Sequence, residues 1–195
     1  YYSSRYTAND TLSYGMFMDC RNLREISLPN TIKVVEKDAF KGCTGLTVLT
    51  IPDEVRSFAS LEGCSSLQEF RVSVMNSGFT AEDGILYDKG RKTLLLYPEG
   101  RVQAVFEIPD GVEKIAECAF QNALVDTLRM THSVVGLGLQ AFRGARLKKV
   151  VLSDGIATIP GAVFQGCTGL RSVTLGSGTM YISDYCFDGC EIGRA

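Results

Sequence analysis

The sequence is poor in the residues that most often carry catalysis. Its 195 residues contain no Trp and a single His, His132. A Ser–His–Asp or Cys–His catalyst would have to use that one imidazole. The surrounding "MTHSVV" follows an apolar run at the point where the chain turns, which favours an exposed turn residue. We therefore do not expect histidine-based catalysis.

The sequence also lacks an excess of one charge and any long apolar run. Lys and Arg number 20 against 22 Asp and Glu, so neither a nucleic acid nor an anionic membrane is an expected partner. No apolar run approaches the roughly 18 residues that span a bilayer, and we expect no membrane insertion. The start, "YYSSRYTAND", lacks the regions of a signal peptide. If the protein is exported, we expect that signal to have been removed or to lie outside this chain.

What the sequence does contain is a repeat. The 20 Gly and many short apolar runs favour turns and short strands. "AFKGCTGLTVLTIP" at 39–52 returns as "VFQGCTGLRSVTLG" at 163–176. Such fixed-period similarity is the signature of a solenoid, in which one unit cannot bury its apolar face alone. A phenylalanine that closes each unit recurs, mostly at steps of 22 or 23 residues, at Phe17, Phe40, Phe120, Phe142, Phe164 and Phe187.

The fullest unit, residues 23–45, reads "LREISLPNTIKVVEKDAFKGCTG". Its LxxIxL segment alternates apolar and polar positions, as a short strand of a parallel ladder does. We expect "DAFKGC" to form one tight helical turn, and its Gly to take a left-handed or crowded backbone position. The sequence predicts one domain over 1–195, with about eight units sharing a continuous core. Because the first and last units are incomplete, we expect a fragment of a longer chain.

One unit is too long. From Leu67 to Val102 the chain runs 36 residues, 13 more than a 23-residue unit. The extra piece contains "ILYDKGRKTLLLYP", two apolar runs around a Gly-containing loop, which is typical of a β-hairpin. We predict a hairpin insert at about 73–100 that projects from the solenoid and exposes Tyr87 and Tyr97.

These units resemble the BspA-like, or treponemal-type, leucine-rich repeat, and the likeness covers residues 14–191. The insert "SGFTAEDGILYDKGRKTLLLYPEG" also resembles one that recurs in that family. The resemblance implies a strand-rich α/β fold: a curved, right-handed leucine-rich repeat solenoid with a parallel sheet on its concave side. It also implies an adhesin-like or protein-binding role at a bacterial cell surface or after secretion, with no shared catalytic residues and no cofactor.

The cysteines repeat with the units. A metal site needs converging ligands, usually in close pairs, whereas five of the seven cysteines recur once per unit, so we expect buried thiols and no metal. Stacked neighbours at about 5 Å with parallel Cβ vectors suit a disulfide poorly. A Cys186–Cys190 disulfide remains an alternative. The five in the common position are Cys20, Cys43, Cys64, Cys167 and Cys190.

Other short motifs are incomplete. "GLG" at 136–138 and "GSG" at 176–178 do not complete a phosphate-binding loop, and both are expected at repeat turns. "AEDG" and "YDKG" lack the spacing of a calcium loop.

The polar positions of LxxIxL are expected to face outward from the concave sheet. They are mixed in charge and more basic after the fifth unit, which fits either an ordinary solvated face or a docking surface for a protein or glycan. No aromatic residue occurs there, which weakens a sugar-stacking role. The candidate binding residues are Arg71, Glu107, Arg129, Lys148, Lys149 and Arg171.

The sequence therefore predicts a non-catalytic binding module of a bacterial cell-surface or secreted protein, with a protein or glycan ligand. Two alternatives stay open. One is a structural spacer in a surface protein. The other is a carbohydrate-active enzyme, which would need clustered carboxylates in a groove.

Overall fold

A computed structural model describes residues 10–59 and 61–192, and within those residues it contains strands and turns but no helix. In chain order the strands are β1 (Thr11–Leu12), β2 (Val34–Val35), β3 (Val48–Ile51), β4 (Ser57–Phe58), β5 (Glu69–Val72), β6 (Phe79–Glu82), β7 (Ile85–Asp88), β8 (Thr93–Leu96), β9 (Val102–Glu107), β10 (Lys114–Ile115), β11 (Leu124–Arg129), β12 (Gly136–Leu137), β13 (Lys149–Val151), β14 (Thr158–Ile159), β15 (Ser172–Thr174) and β16 (Tyr181–Ile182).

The chain winds as a parallel β-solenoid of eight coils, which confirms the predicted repeat. We number the coils by the short strand that opens each: β1, β2, β4, β8, β10, β12, β14 and β16. Parallel pairing puts Thr11 beside Val34 and Val34 beside Ser57, so one coil advances 23 residues. The later longer strands form a parallel sheet in the order β9–β11–β13–β15, and β3 pairs with β5 in a separate sheet. We call the outward side of these two sheets the long-strand face; it corresponds to the predicted concave face.

A column of rings runs through the core. Phe142 stacks on Phe164 with ring centroids 5.2 Å apart, and Phe164 stacks on Phe187 at 5.4 Å. The backbone N–H of Phe142 donates to the Val163 carbonyl oxygen of the next coil at 2.9 Å. Since each ring pair adds about 0.5–1.5 kcal/mol beyond the area it buries, the repeated phenylalanine is a main source of cohesion between coils.

The predicted helical turn at "DAFKGC" is wrong. Two left-handed residues, Asp38 with φ 59° and Gly42 with φ 72°, bracket the turn and prevent a helix. Most coils repeat this pair of left-handed positions, with Asn122 at φ 55° in the Gly position of coil 5. The turn also directs backbone N–H groups along the solenoid axis. The N–H of Gly42 donates to the Glu62 carbonyl oxygen of the next coil at 2.9 Å.

The insert is part of the wall and does not project. Its predicted hairpin is present as antiparallel β7 and β8, and β6 pairs antiparallel with β7. Strand β8 then pairs in parallel with β10 and opens coil 4. The expectation of exposed tyrosines is wrong, since Tyr87 is 1% and Tyr97 3% exposed. Tyr97 takes the phenylalanine position of coil 4: its ring stacks on Phe120 at 5.0 Å.

The core is not continuous, contrary to the sequence-based expectation. Side chains of β7 and β8 are buried on both faces of the strands. Leu86 and Leu96 join a core cluster of the first three coils, while Tyr87 and Leu94 join the cluster of coils 4–8. The insert therefore separates two hydrophobic cores. Leu86 and Tyr87 are successive residues of β7 and point to opposite sides. The β7–β8 pairing shifts its register between them, so their partners Leu96 and Leu94 also join different clusters.

The repeated cysteines are mainly buried thiols, as predicted. All seven are free, and Cys43, Cys64 and Cys167 are fully buried, whereas Cys20 is exposed in the first coil. The buried thiols donate to the phenylalanine carbonyl one coil earlier, as from Cys167 Sγ to Phe142 O at 3.0 Å. Burial raises the pKa of Cys64 and of Cys167 to about 12. Such thiols are inert because the thiolate is the reactive form.

Candidate binding face

The long-strand face of coils 4–7 is a regular array. Phe106, Leu128 and Val150 stand in register and point into the core. The residues beside them point outward, and adjacent strands lie about 4.8 Å apart. One outward row consists of Val105, Thr127, Lys149 and Ser172, and the next consists of Glu107, Arg129, Val151 and Thr174.

The structure brings five of the six candidate residues together and places the sixth elsewhere. Glu107, Arg129 and Lys149 lie on the outward rows, and Lys148 and Arg171 directly precede β13 and β15. Arg71 lies on β5, in the separate sheet of coils 2 and 3. The long-strand face therefore consists of two separate parts.

Neighbouring carboxylates engage some of these cations but not others. Asp126 accepts hydrogen bonds from Lys148 Nζ at 3.0 Å and from Arg146 Nε at 2.9 Å. The Lys148 hydrogen bond is the main cause that holds the pKa of Asp126 below its usual value, and the charge of Arg146 adds to it. Arg71 pairs with Glu69 at 2.5 Å.

Three cations of the face have no such partner. Within residues 10–59 and 61–192, no carboxylate lies within 4.0 Å of the charged groups of Arg129, Lys149 or Arg171. All three side chains are exposed. Their charges are therefore available to a partner.

The turn of the β6–β7 hairpin divides the face. The backbone N–H of Phe70 on β5 donates to the Gly84 carbonyl oxygen at 2.8 Å, in place of a bond to β9. Gly84 has φ 73°, and a Cβ there would lie 2.6 Å from Glu69 Cβ, so only glycine allows this docking. The Arg101 guanidinium also donates to the Asp83 carbonyl oxygen.

A recess opens where the hairpin meets β9. We call it the hairpin notch; it has a volume of about 340 Å³. Three acidic residues, Glu82, Asp83 and Glu107, line this notch. Sequence reasoning noted "AEDG" near the insert but did not place it beside Glu107, because those residues are far apart in the chain. The notch is lined by Glu82, Asp83, Ile85, Tyr87, Gln103, Val105, Phe106, Glu107 and Pro109.

A different cleft, of about 310 Å³, lies on the turn edge of the solenoid. Leu94 of coil 4 pairs with Ile115 of coil 5, and Tyr97 stands beside Phe120. Coil 4 is therefore two residues shorter than coil 5 between these positions. The side chains at this cleft carry both signs of charge. Its charged residues are Lys37, Glu62, Glu117 and Arg143.

Beside that cleft, the carboxylate of Glu99 links three coils. Glu99 is 6% exposed, and its Oε1 accepts from the Gly63 backbone N–H at 3.0 Å and from Asn122 Nδ2 at 2.9 Å. Burial is the main cause that raises the pKa of this carboxyl, and the two hydrogen bonds oppose the rise. Glu99 thus satisfies a backbone group that an ordinary coil would pair with a carbonyl oxygen.

The remaining motifs have structural positions. His132 lies in an exposed turn, as predicted. Gly138 packs on the backbone of Glu117, and Gly176 on that of Ser153, so these glycines serve contacts between coils. Within the described part of the chain, no three His, Cys, Asp or Glu side chains are grouped to hold a metal ion, and no helix is long and apolar enough to cross a membrane.

The repeat matches a known family. The model of the BspA type leucine-rich repeat region matches residues 8–81 and 102–195 in six copies. The chain belongs to this family. The match omits residues 82–101, which contain β7, β8 and Tyr97. The resemblance seen in the sequence is therefore confirmed, and leucine-rich repeat proteins of this type are generally non-catalytic.

Solved structures of other proteins resemble the chain. A leucine rich cell surface protein from Faecalibacterium prausnitzii A2-165 is 32% identical, with a TM-score of 0.81 over 93% of this chain and 49% of that one. The pneumococcal vaccine antigen PcpA shares the fold, with 15% identity and a TM-score of 0.58 over 88% of this chain and 53% of that one. The chain thus spans about half the length of these relatives. No curated protein matches the chain significantly in sequence.

Proposed function

We propose that this BspA-type chain is a non-catalytic binding module of a bacterial cell-surface or secreted protein, and that it binds a protein through the long-strand face of coils 4–7. The observation that carries the proposal is the group of exposed, unpaired cations Arg129, Lys149 and Arg171 on strands held in register. The F. prausnitzii relative is a cell surface protein, which supports the proposed location.

The mechanism is rigid display. Buried Leu128 and Val150 hold their strands in place, so the intervening Arg129 and Lys149 are spaced before a partner arrives. Binding then orders fewer groups, and a larger share of the contact free energy appears as affinity. Unpaired cations also attract an acidic partner and speed its association at low salt.

A binding screen of the purified chain against extracellular matrix proteins and a glycan array tests the proposal. The double variant Arg129→Glu/Lys149→Glu reverses two charges of the face. Arg24→Glu/Arg71→Glu makes the same change on the coils before the insert and serves as the matched control. We expect a protein ligand whose affinity falls about tenfold or more in the first variant and little in the control.

Other outcomes separate the alternatives. A ligand lost only in the control would place the site on the first coils. If both variants retain the ligand, the binding site lies at an edge or a turn of the solenoid. Binding of glycans alone would replace the protein partner with a sugar, and no ligand for the unmodified chain would favour the structural spacer.

A further inference from the structure

The hairpin notch is a built recess in the long-strand face, and its chemistry indicates what fills it. It lies between the hairpin of the insert and β9, at the interruption between the two sheets. Its volume of about 340 Å³ is near the lower end of the range for small-ligand pockets. A recess of that size holds one long side chain or a small ligand.

The base of the notch has a hydroxyl group without a protein partner. Tyr87 is 1% exposed, and none of the residues that the structure describes hydrogen-bonds its hydroxyl. No fully buried side-chain oxygen or nitrogen in the described ranges is left unpaired, so the Tyr87 hydroxyl is not fully enclosed, and Tyr87 is one of the residues that line the notch. Deeply placed polar groups are nearly always hydrogen-bonded, and a polar group that enters the notch can supply that bond to Tyr87.

Tyr97 provides the contrast. Its hydroxyl donates to Gln103 Oε1 at 3.0 Å and is satisfied within the protein. The same hydrogen bond fixes the Gln103 side chain at the wall of the notch. Of these two buried tyrosines, only Tyr87 therefore has a hydroxyl that is free to bond to a group in the notch.

Three acidic residues, Glu82, Asp83 and Glu107, line the notch. Glu82 is neutralised by Arg91 at 2.5 Å. The carboxylates of Asp83 and Glu107 have no cationic group within 4.0 Å among residues 10–59 and 61–192. Both residues are exposed. The Arg101 guanidinium bonds to the Asp83 carbonyl oxygen, and Arg129 lies opposite Glu107 in register, but neither cation pairs with these carboxylates. Two carboxylates without an ion pair therefore border a recess whose walls include the apolar side chains of Val105 and Pro109.

We propose that the hairpin notch receives a lysine or arginine side chain of the protein partner, an inference that rests on the proposed function. The apolar walls hold the methylene stem. Asp83 and Glu107 bind the cationic head group, and the Tyr87 hydroxyl accepts a hydrogen bond from it. A neutral sugar fits less well, because it leaves both charges unpaired and the Tyr87 ring is buried against the core.

Small probes test the notch without the partner. Nα-acetyl-lysine methylamide and Nα-acetyl-arginine methylamide are titrated into ¹⁵N-labelled protein and followed by two-dimensional NMR. Nα-acetyl-norleucine methylamide tests the stem without the charge, and a set of methyl glycosides tests sugars. We expect saturable shifts at Tyr87, Gln103 and Glu107 with a basic derivative only.

Two variants locate the binding. Asp83→Asn/Glu107→Gln is expected to weaken the basic probe about tenfold, and Tyr87→Phe about threefold, since each removes a direct contact. Asp184→Asn/Glu191→Gln makes the same charge change in coil 8 and should leave binding unchanged. Because Tyr87→Phe removes only a hydroxyl that has no protein partner, its melting temperature should match that of the unmodified protein.

The outcomes distinguish this inference from the proposed function. The inference is overturned if neither basic probe binds saturably, or if the norleucine derivative binds as tightly as they do. Either outcome leaves the result of the Arg129→Glu/Lys149→Glu variant, and so the proposed function, untouched. Binding of a glycoside at the same residues would replace it with a sugar site. The coil 8 variant could also weaken binding of the basic probe as much as Asp83→Asn/Glu107→Gln does. That outcome would show only general charge attraction and would also overturn the inference.

Discussion

Replacing Tyr97 should destabilise the last five coils without removing the first three. Tyr97 is 3% exposed, and its ring contacts Phe120 at 5.0 Å and Phe106 at 5.2 Å between centroids. Removing a buried aromatic ring costs about 3–5 kcal/mol. Losing the hydroxyl's hydrogen bond to Gln103 adds about 1 kcal/mol. Tyr97→Ala should therefore cost about 4–6 kcal/mol and Tyr97→Phe about 1 kcal/mol.

Native-state hydrogen exchange measures this loss coil by coil, because it reports the free energy of local opening. The two core clusters meet at the insert, so we expect the amides of coils 4–8 to lose protection in Tyr97→Ala and those of coils 1–3 to change little. Urea unfolding followed by circular dichroism gives the total loss in the free energy of unfolding. A loss below about 2 kcal/mol for Tyr97→Ala, or equal loss of protection along the whole chain, would refute the place of Tyr97 in the ring column.

Three further predictions concern other parts of the fold. Burial raises the pKa of Glu99 above its usual value, so ionisation of this carboxyl opposes folding. Glu99→Gln should therefore gain stability relative to the unmodified protein as the pH rises above the usual pKa of a glutamate; a stability difference that stays constant with pH in urea unfolding would contradict this. Gly84→Ala should cost about 2–4 kcal/mol in the same assay, since a left-handed backbone and a clash add. Gly111 has φ 87° and open space where a Cβ would lie, so Gly111→Ala should cost only about 1–2 kcal/mol. Equal losses of stability in the two glycine variants would argue against the docked hairpin. Iodoacetamide should label exposed Cys20 in the native protein and buried Cys64 only after unfolding, as mass spectrometry of the labelled peptides can check.

The solenoid could be predicted from the sequence because its information is local and repeated. Parallel stacking places each position beside its own copy in the next coil, so a 22- or 23-residue period becomes a register. Phe142 above Phe164, and Cys167 hydrogen-bonded to the Phe142 carbonyl, follow from that one fact. The outward positions of Arg129 and Lys149 follow from strand alternation in the same way.

Features that join distant segments could not be predicted in this way. "DAFKGC" has the composition of a helical turn, but its N–H groups bond to the neighbouring coil, and local propensity does not report that partner. Lys148 is exposed like Lys149, and only the position of Asp126 one coil earlier shows which charge is already engaged.

The sequence by itself determined the family, the period, the stacked rings and the outward rows, since each depends on spacing along the chain. The tertiary structure alone decided the place of the insert. Its alternating apolar side chains predict a strand but do not reveal that both faces are covered, which buries Tyr87 and Tyr97. Docking of the Gly84 turn against Glu69 then creates the hairpin notch, because that contact joins segments that only folding brings together.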